Sequence, residues 1–247
     1  QGELTVALVL DIETVPLSSA ADAPYPEDRQ PPANYKSAET IAKWREQDRL
    51  RWVDERIKKA SLNARLGRVL CLGWAISGED GPDRQGVIYA ETEDREADLL
   101  RQFWRLVEHE NGAVVTWNGT WDLRFLTLRS LYHGVIPTIP PNLIALWFKR
   151  YRTQPHFDCK AVLLNWDVIQ SGEGLNEWAK FFGVPGKTDG LSGGDVYPLF
   201  AGGMHDEVAE YCLADVLATK AIYHKMLSVF GSAHGVKHPT EDEWTTE

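Results

Sequence analysis

The chain has 247 residues, enough for one large α/β domain or two small ones, and its 43% hydrophobic and 25% charged residues are ordinary for a globular protein. No apolar run is long enough for a helical membrane span, and a net charge of −10 argues against a protein that coats duplex nucleic acid. It argues less against an enzyme that grips one chain end through bound cations, because the cations supply the positive charge.

Thr5 to Leu10 (TVALVL) is an apolar run rich in β-formers and reads as a buried strand, with Pro16 closing the segment. Residues 20–34, rich in Pro, Asp and Ala, read as loop. Lys36 to Lys59 carries dense charge, with Ile41, Trp44, Val53 and Ile57 near helical spacing. This pattern predicts an exposed helical arm inserted between the first two strands. It is either a solvated arm along one edge, a clamp over substrate, or a surface for a partner or a second copy, and the sequence sets no oligomeric state. Arg68–Ser77 and Gly86–Ala90 read as the second and third strands, joined by a turn at Gly78–Gly81. Glu93–Glu110 reads as a helix with acidic residues in its first turn, Ala113–Trp117 as a fourth strand, and Trp121–His133 as a helix ending at Gly134 before a Pro-rich turn. Helices are predicted over Asp158–Asn165, Leu175–Phe182 and Glu207–Phe230, and a loose polar tail over 231–247. βαβ character in the middle of the chain points to one layered α/β domain.

Three places put carboxylates where chemistry could use them. In Asp11-Ile12-Glu13, strand alternation sets both acids on one face, where they repel each other unless paired or bound to a cation. The Asn118-Gly119 turn places Asp122 in the first turn of the next helix, where the helix dipole favours an anion. Tyr211 and Asp215 stand four apart on the last helix and share a face. Four carboxylates from one strand and two helices suit two hard divalent cations held through oxygen, the arrangement that promotes in-line phosphoryl displacement. The seven histidines include no HExxH pair, and His234 and His238 fall in the polar tail. Cys71, Cys159 and Cys212 form no CxxC pair and suit a reducing, cytoplasmic setting.

DIET at 11–14, NGxxxD ending at Asp122 and YxxxD ending at Asp215 resemble the three motifs of the DEDD superfamily of 3′–5′ exonucleases. Tyr211, with Glu210 where the histidine branch would need His, resembles the tyrosine branch. His156-Phe157-Asp158, Leu175 to Gly183, Pro185-Gly186-Lys187 and Gly194-Asp195-Val196 are similar to predicted exonucleases related to the proofreading domain of family B DNA polymerases. Asn34 to Arg68 resembles the inserted segment of their phage-associated members. Trp121 stands where that pattern has Phe.

The resemblance implies a ribonuclease H-like fold, with a mixed five-stranded sheet flanked by helices. It implies one exonuclease domain over 3–230 with a helical insertion at 21–66. It further implies that Asp11, Glu13, Asp122 and Asp215 hold two divalent cations, Mg²⁺ or Mn²⁺, while Tyr211 orients the attacking water. The expected substrate is the 3′ end of single-stranded nucleic acid, DNA before RNA, and replication or repair proteins are the expected partners. No polymerase domain lies within this sequence, so proofreading in cis is not expected of it.

Thr14, Asn118, Trp121 and Phe125 flank the motif acids and are candidate substrate contacts. Trp147 to Arg152 interleaves aromatic and basic residues, the types that stack bases and hold phosphates, so Lys149 and Arg150 are candidate phosphate contacts, with Arg124 and Arg129 nearby; Lys187, in a stretch similar to the family pattern, is a further candidate that the resemblance implies. Two rivals remain: an exoribonuclease of the same fold, and a catalytically silent nucleic-acid-binding module.

Overall fold

The computed structural model describes residues 7–76, 84–167, 174–186 and 191–231. The expected turn at Gly78–Gly81, Lys187 and the tail beyond Gly231 lie outside the described residues.

Five strands, β1 (Leu8–Pro16), β2 (Gly67–Ile76), β3 (Gln85–Tyr89), β4 (Val114–Thr116) and β5 (His156–Asp158), form one mixed sheet in the order β3-β2-β1-β4-β5. β1–β2 and β2–β3 run antiparallel, whereas β1–β4 and β4–β5 are parallel. Three features decide where a site can form. β1 continues through the Asp11–Glu13 acids to Pro16, past the expected strand end at Leu10. Its pairing with β4 covers only Leu8 and Val9, because β4 ends at Thr116 and the chain turns into a helix. The acids therefore lie beyond the carboxyl end of β4, at the mouth of the parallel half of the sheet, where open α/β sheets form ligand crevices.

Alternation along β1 divides the core. Leu8, Leu10 and Ile12 face one cluster with Leu72, Phe103, Trp104 and Leu126, which packs α3 (Glu96–His109) and α4 (Gly119–His133) on that side. Ala7 and Val9 face the other, where Val115 and Phe157 meet α6 (Cys159–Leu163), α7 (Leu175–Phe182) and α9 (His205–Phe230). Asp11 and Glu13 share this second parity and so belong to the α9 face. A β-bulge between Glu13 and Thr14 shifts the register with β2 immediately after the acids.

Two short helices escaped the sequence reading: α5 (Pro141–Trp147) and α8 (Val196–Ala201), besides the single turn α1 (Ser18–Ala21). Both of the longer ones are too brief for periodicity to separate from turn composition. The arm is α2 (Ala38–Ser61), begun by Ser37, whose side chain accepts from the Thr40 N–H. Ion pairs Glu39–Lys43, Asp54–Lys58 and Glu55–Lys59 line its exposed face and contribute little each. Its inner side holds the preceding loop. Tyr25 Oη donates to Asp48 at 2.6 Å, Arg29 pairs with the same carboxylate at 2.6 Å, and the Arg56 guanidinium lies over Trp52 while donating to the carbonyls of Ala21 and Ala23.

A buried polar knot ties α3 to α4. The Glu96 carboxylate, fully buried, accepts from Arg129 Nε at 2.9 Å and Nη2 at 2.5 Å, from the Val69 N–H at 2.8 Å, and lies 2.8 Å from His133 Nε2. Arg129 is thereby committed to the fold, which removes it from the candidate phosphate contacts. Truncating one partner of such a pair leaves a buried charge uncompensated, so Arg129→Leu should cost roughly 3–5 kcal/mol of stability in urea unfolding. An unchanged midpoint would show that the knot does not hold α4 in place.

Candidate active site

Asp11, Glu13, Asp122, Tyr211 and Asp215, more than 200 residues apart at the extremes, line one cleft of about 540 Å³. Each arrives by a separate local cause. Asp11 and Glu13 come from adjacent same-face positions of β1. Opposite Asp11 stands Gly73 of β2, and a Cβ at Gly73 would come within 2.9 Å of Val216 Cγ2 and 3.1 Å of the Cys212 carbonyl. The missing side chain lets α9 settle directly on β2. Along α9 the buried positions Val208, Tyr211, Cys212, Asp215, Val216, Thr219 and Ile222 form one stripe. Tyr211 and Asp215 are the parts of that stripe that meet the β1 acids.

Asp122 is delivered by α4, whose start is pressed against the sheet at Gly119. A Cβ there would lie 2.0 Å from Thr116 Oγ1 and 2.3 Å from His156 Nε2. These two groups hydrogen-bond at 2.9 Å, and His156 Nδ1 lies 3.0 Å from the Trp147 carbonyl. Since a carbonyl can only accept, Nδ1 carries the proton and Nε2 accepts from the Thr116 hydroxyl. Burial lowers the pKa of His156, consistent with this neutral form. Asp158 completes the support, capping α6 through the Ala161 N–H at 2.9 Å and accepting from the Thr120 N–H at 3.2 Å.

The electrostatics of the cleft are those of crowded acids. Burial first, then the charges of Asp11, Asp158 and Asp215, push the Asp122 carboxyl well above the usual carboxylate range. Carboxylate oxygens of Asp11 and Glu13 and the Cys212 sulfur lie within 4.8 Å of one another. Cys212 is a poor ligand there: a hydrogen bond with Cys71 and burial push its thiol pKa well up, and its Sγ lies 3.7 Å from the Asp11 carbonyl oxygen. The donor set left is oxygen alone, which fits hard divalent cations.

The remaining sequence candidates separate in space. Asn118 and Trp121 line the cleft. Thr14 also lines it, but its hydroxyl donates to the Ser61 carbonyl at 2.7 Å and so anchors the end of α2. Phe125 is buried in the core, 5.4 Å from the Trp121 ring, and supports that ring from behind. Trp147 stacks on Trp104 at 5.8 Å and donates to the Gly112 carbonyl, so it is unavailable to a base. Arg150 lines a neighbouring groove with Arg124, and Lys149 lines neither cavity.

A clamp over substrate is one of the readings that the sequence leaves open for the arm, but it does not single out the residues involved: Ile57, Lys58, Ser61 and Leu62 at the α2 end line the cleft together with Leu175, Gly194 and Tyr197. Nothing in the charge pattern of residues 36–59 marks this, because the contact is with β1, far behind it in the chain.

A sheet of this order, with acids gathered at the mouth of its parallel half, defines an α/β protein of the ribonuclease H-like exonuclease fold. The chain belongs to the family described as predicted 3′–5′ exonuclease related to the exonuclease domain of PolB, whose model matches residues 68–243. The match begins after β1, so Asp11 and Glu13 join the site through the structure and not through the matched segment. No curated protein matches the sequence significantly. Membership of this family makes the general activity exonucleolytic. Exonucleases of this kind generally use divalent metals, and the acidic cluster is a candidate place for one.

The raised Asp122 pKa has a direct consequence for stability. The proton on Asp122 stabilises the cation-free fold fully below the ordinary carboxylate range, and that stabilisation is lost as pH rises through the higher value of the folded state. Asp122→Asn should therefore melt above wild type at neutral pH without divalent cations, by roughly 2–4 °C, with the gap closing in acid. Adding Mn²⁺ should raise wild type more than the variant. A variant that melts below wild type at neutral pH would contradict the crowding.

Proposed function

We propose that the protein removes 5′-mononucleotides from the 3′ end of single-stranded DNA by two-metal-ion hydrolysis. The observation that carries this reading is the convergence of Asp11, Glu13, Asp122 and Asp215 with Tyr211 in one cleft. The four carboxylates would hold two divalent cations, Mg²⁺ or Mn²⁺. Bound there, such cations supply Lewis-acid stabilisation of the attacking and leaving oxygens of an in-line displacement. The chain's own residues do the positioning. The Tyr211 hydroxyl orients the water that attacks the terminal phosphodiester, and its buried ring fixes the direction of that hydroxyl. Asp122, at the start of α4, is an acid that a cation would draw into its charged form. Asn118 and Trp121 border the terminal nucleotide, with the Trp121 face available to a base.

The catalytic unit of this reading is one domain over 3–230, with the 21–66 insertion walling its cleft. Three free, buried cysteines suit the reducing cytoplasm of the proposal. Lys187, next to Pro185 and Gly186 in the chain, stays a candidate phosphate contact by resemblance alone.

Wild type and Asp11→Ala should be compared on 5′-labelled single-stranded DNA and RNA with Mn²⁺. Wild type is expected to give a ladder shortening from the 3′ end, faster on DNA, and Asp11→Ala should give none. Equal rates on RNA would replace the substrate with RNA, and strand binding without any cleavage would leave a silent binding module. Tyr211→Phe keeps the ring and removes the hydroxyl. It should lower kcat by on the order of 10²-fold with a small change in KM. An unaltered kcat would take Tyr211 out of the mechanism.

A further inference from the structure

Beside the carboxylate cleft lies a second groove, of about 490 Å³, that shares Asn118 and Trp121 with it. Trp166 and three cations, Arg124, Arg150 and Lys160, line it. In a chain with 36 acidic and 26 basic residues, three cations in one concave patch run against the overall charge. Two acids line it as well: Asp158, which is engaged by the N–H groups of Thr120 and Ala161, and Asp167, so the cations exceed the acids by one.

The groove is built, not incidental. Arg150 Nη2 donates to the Trp166 carbonyl at 2.7 Å and its guanidinium lies 5.3 Å from the Tyr151 ring, while Tyr151 packs on Trp166 at 5.5 Å. Tyr151 (φ 63°), Asn165 (φ 50°) and Trp166 (φ 57°) all hold left-handed backbone, which is rare for aromatic residues and persists only where surrounding contacts enforce it. Those contacts hold the Trp166 ring where it lines the groove.

We propose that this groove binds the nucleotides on the 5′ side of the terminal one, stacking a base against Trp166 and holding phosphates with Arg124, Arg150 and Lys160. The inference rests on the exonuclease reading of the cleft and deepens it. A single strand with its 3′ end among the carboxylates passes over Trp121, which with Asn118 is common to both cavities, and enters the groove. Aromatic faces and cations in one channel are the chemistry that holds single strands without reading their sequence. Arg150, expected from sequence to touch phosphate, acquires a place here that Lys149 does not share.

The test measures affinity for 5′-fluorescein oligothymidylates from dinucleotide to decamer, in Ca²⁺ to suppress cleavage, for wild type and Arg124→Ala/Lys160→Ala. Wild-type affinity should climb over the first few added nucleotides. In the double variant the decamer-to-dinucleotide affinity ratio should fall by roughly tenfold or more. A ratio equal to that of wild type overturns the groove. Wild type alone supplies an independent reading that needs no variant to fold: 5-iododeoxyuridine placed a few nucleotides from the 3′ end should photocrosslink to Trp166, Tyr151 or Trp121. Crosslinks confined to the α2 end or to α7 also overturn it. Absence of Mn²⁺-dependent cleavage by wild type would instead sink the exonuclease reading, whichever way the length dependence falls.

Discussion

Like charges that would scatter in an unfolded chain are forced together at the mouth of the parallel strands, and much of the architecture serves to hold them there. Two acids on one face of β1 already repel each other. The conflict grows when α9 brings Asp215 and α4 brings Asp122 into the same cleft, so that Asp122 meets burial and three neighbouring carboxylates at once. The fold tolerates this because its delivery points are tight. Gly73 leaves no side chain between β2 and α9, and Gly119 leaves none between α4 and the Thr116–His156 bond. Both glycines fix how closely the helices that carry Asp215 and Asp122 approach the sheet. Strain of this kind is typical of sites whose stability and function pull in opposite directions. A pair of cations resolves it in the proposed mechanism, which makes the same crowding both the liability of the cation-free protein and the source of its affinity for metal.

The parts of the structure legible in sequence are those written in short spacings. Two residues along a strand place Asp11 beside Glu13, four along a helix place Tyr211 beside Asp215, and an Asn-Gly turn starts α4 at the right distance from Asp122. The long helices α3, α4, α7 and α9 follow their apolar periodicity within a few residues. The illegible parts depend on partners far away in the chain. Thr14 lines the cleft, but nothing near it in the chain shows that Ser61 accepts its hydroxyl. Arg129 looks like a phosphate ligand until Glu96, on another helix, claims it. Trp147 sits in an aromatic-basic run that suggests base stacking, but Trp104 and the Gly112 carbonyl fix it in the core. In each case composition is right about chemical type and silent about which neighbour arrives first.

The inserted arm shows the same limit from the other direction. Its dense charge and few buried positions read as a solvated helix, and along most of its length that description holds, with Trp44, Asp48 and Ala60 its buried residues. Yet its last turn is anchored by Thr14, the residue that directly follows the β1 acids and their bulge. An insertion that leaves the sheet at the end of β1 and returns at the start of β2 has both its ends at the edge that carries the β1 acids, and its C-terminal turn lines the cleft.

That placement bears on what the cleft can admit. The end of α2 lines the space around the acids together with Leu175, Gly194 and Tyr197, and that space is about 540 Å³, within the range of pockets that take a small molecule. A nucleotide fits such a space. The proposed preference for single strands draws on that fit and on the chemistry of the acids. A groove that begins at Trp121 gives the rest of such a strand somewhere to lie.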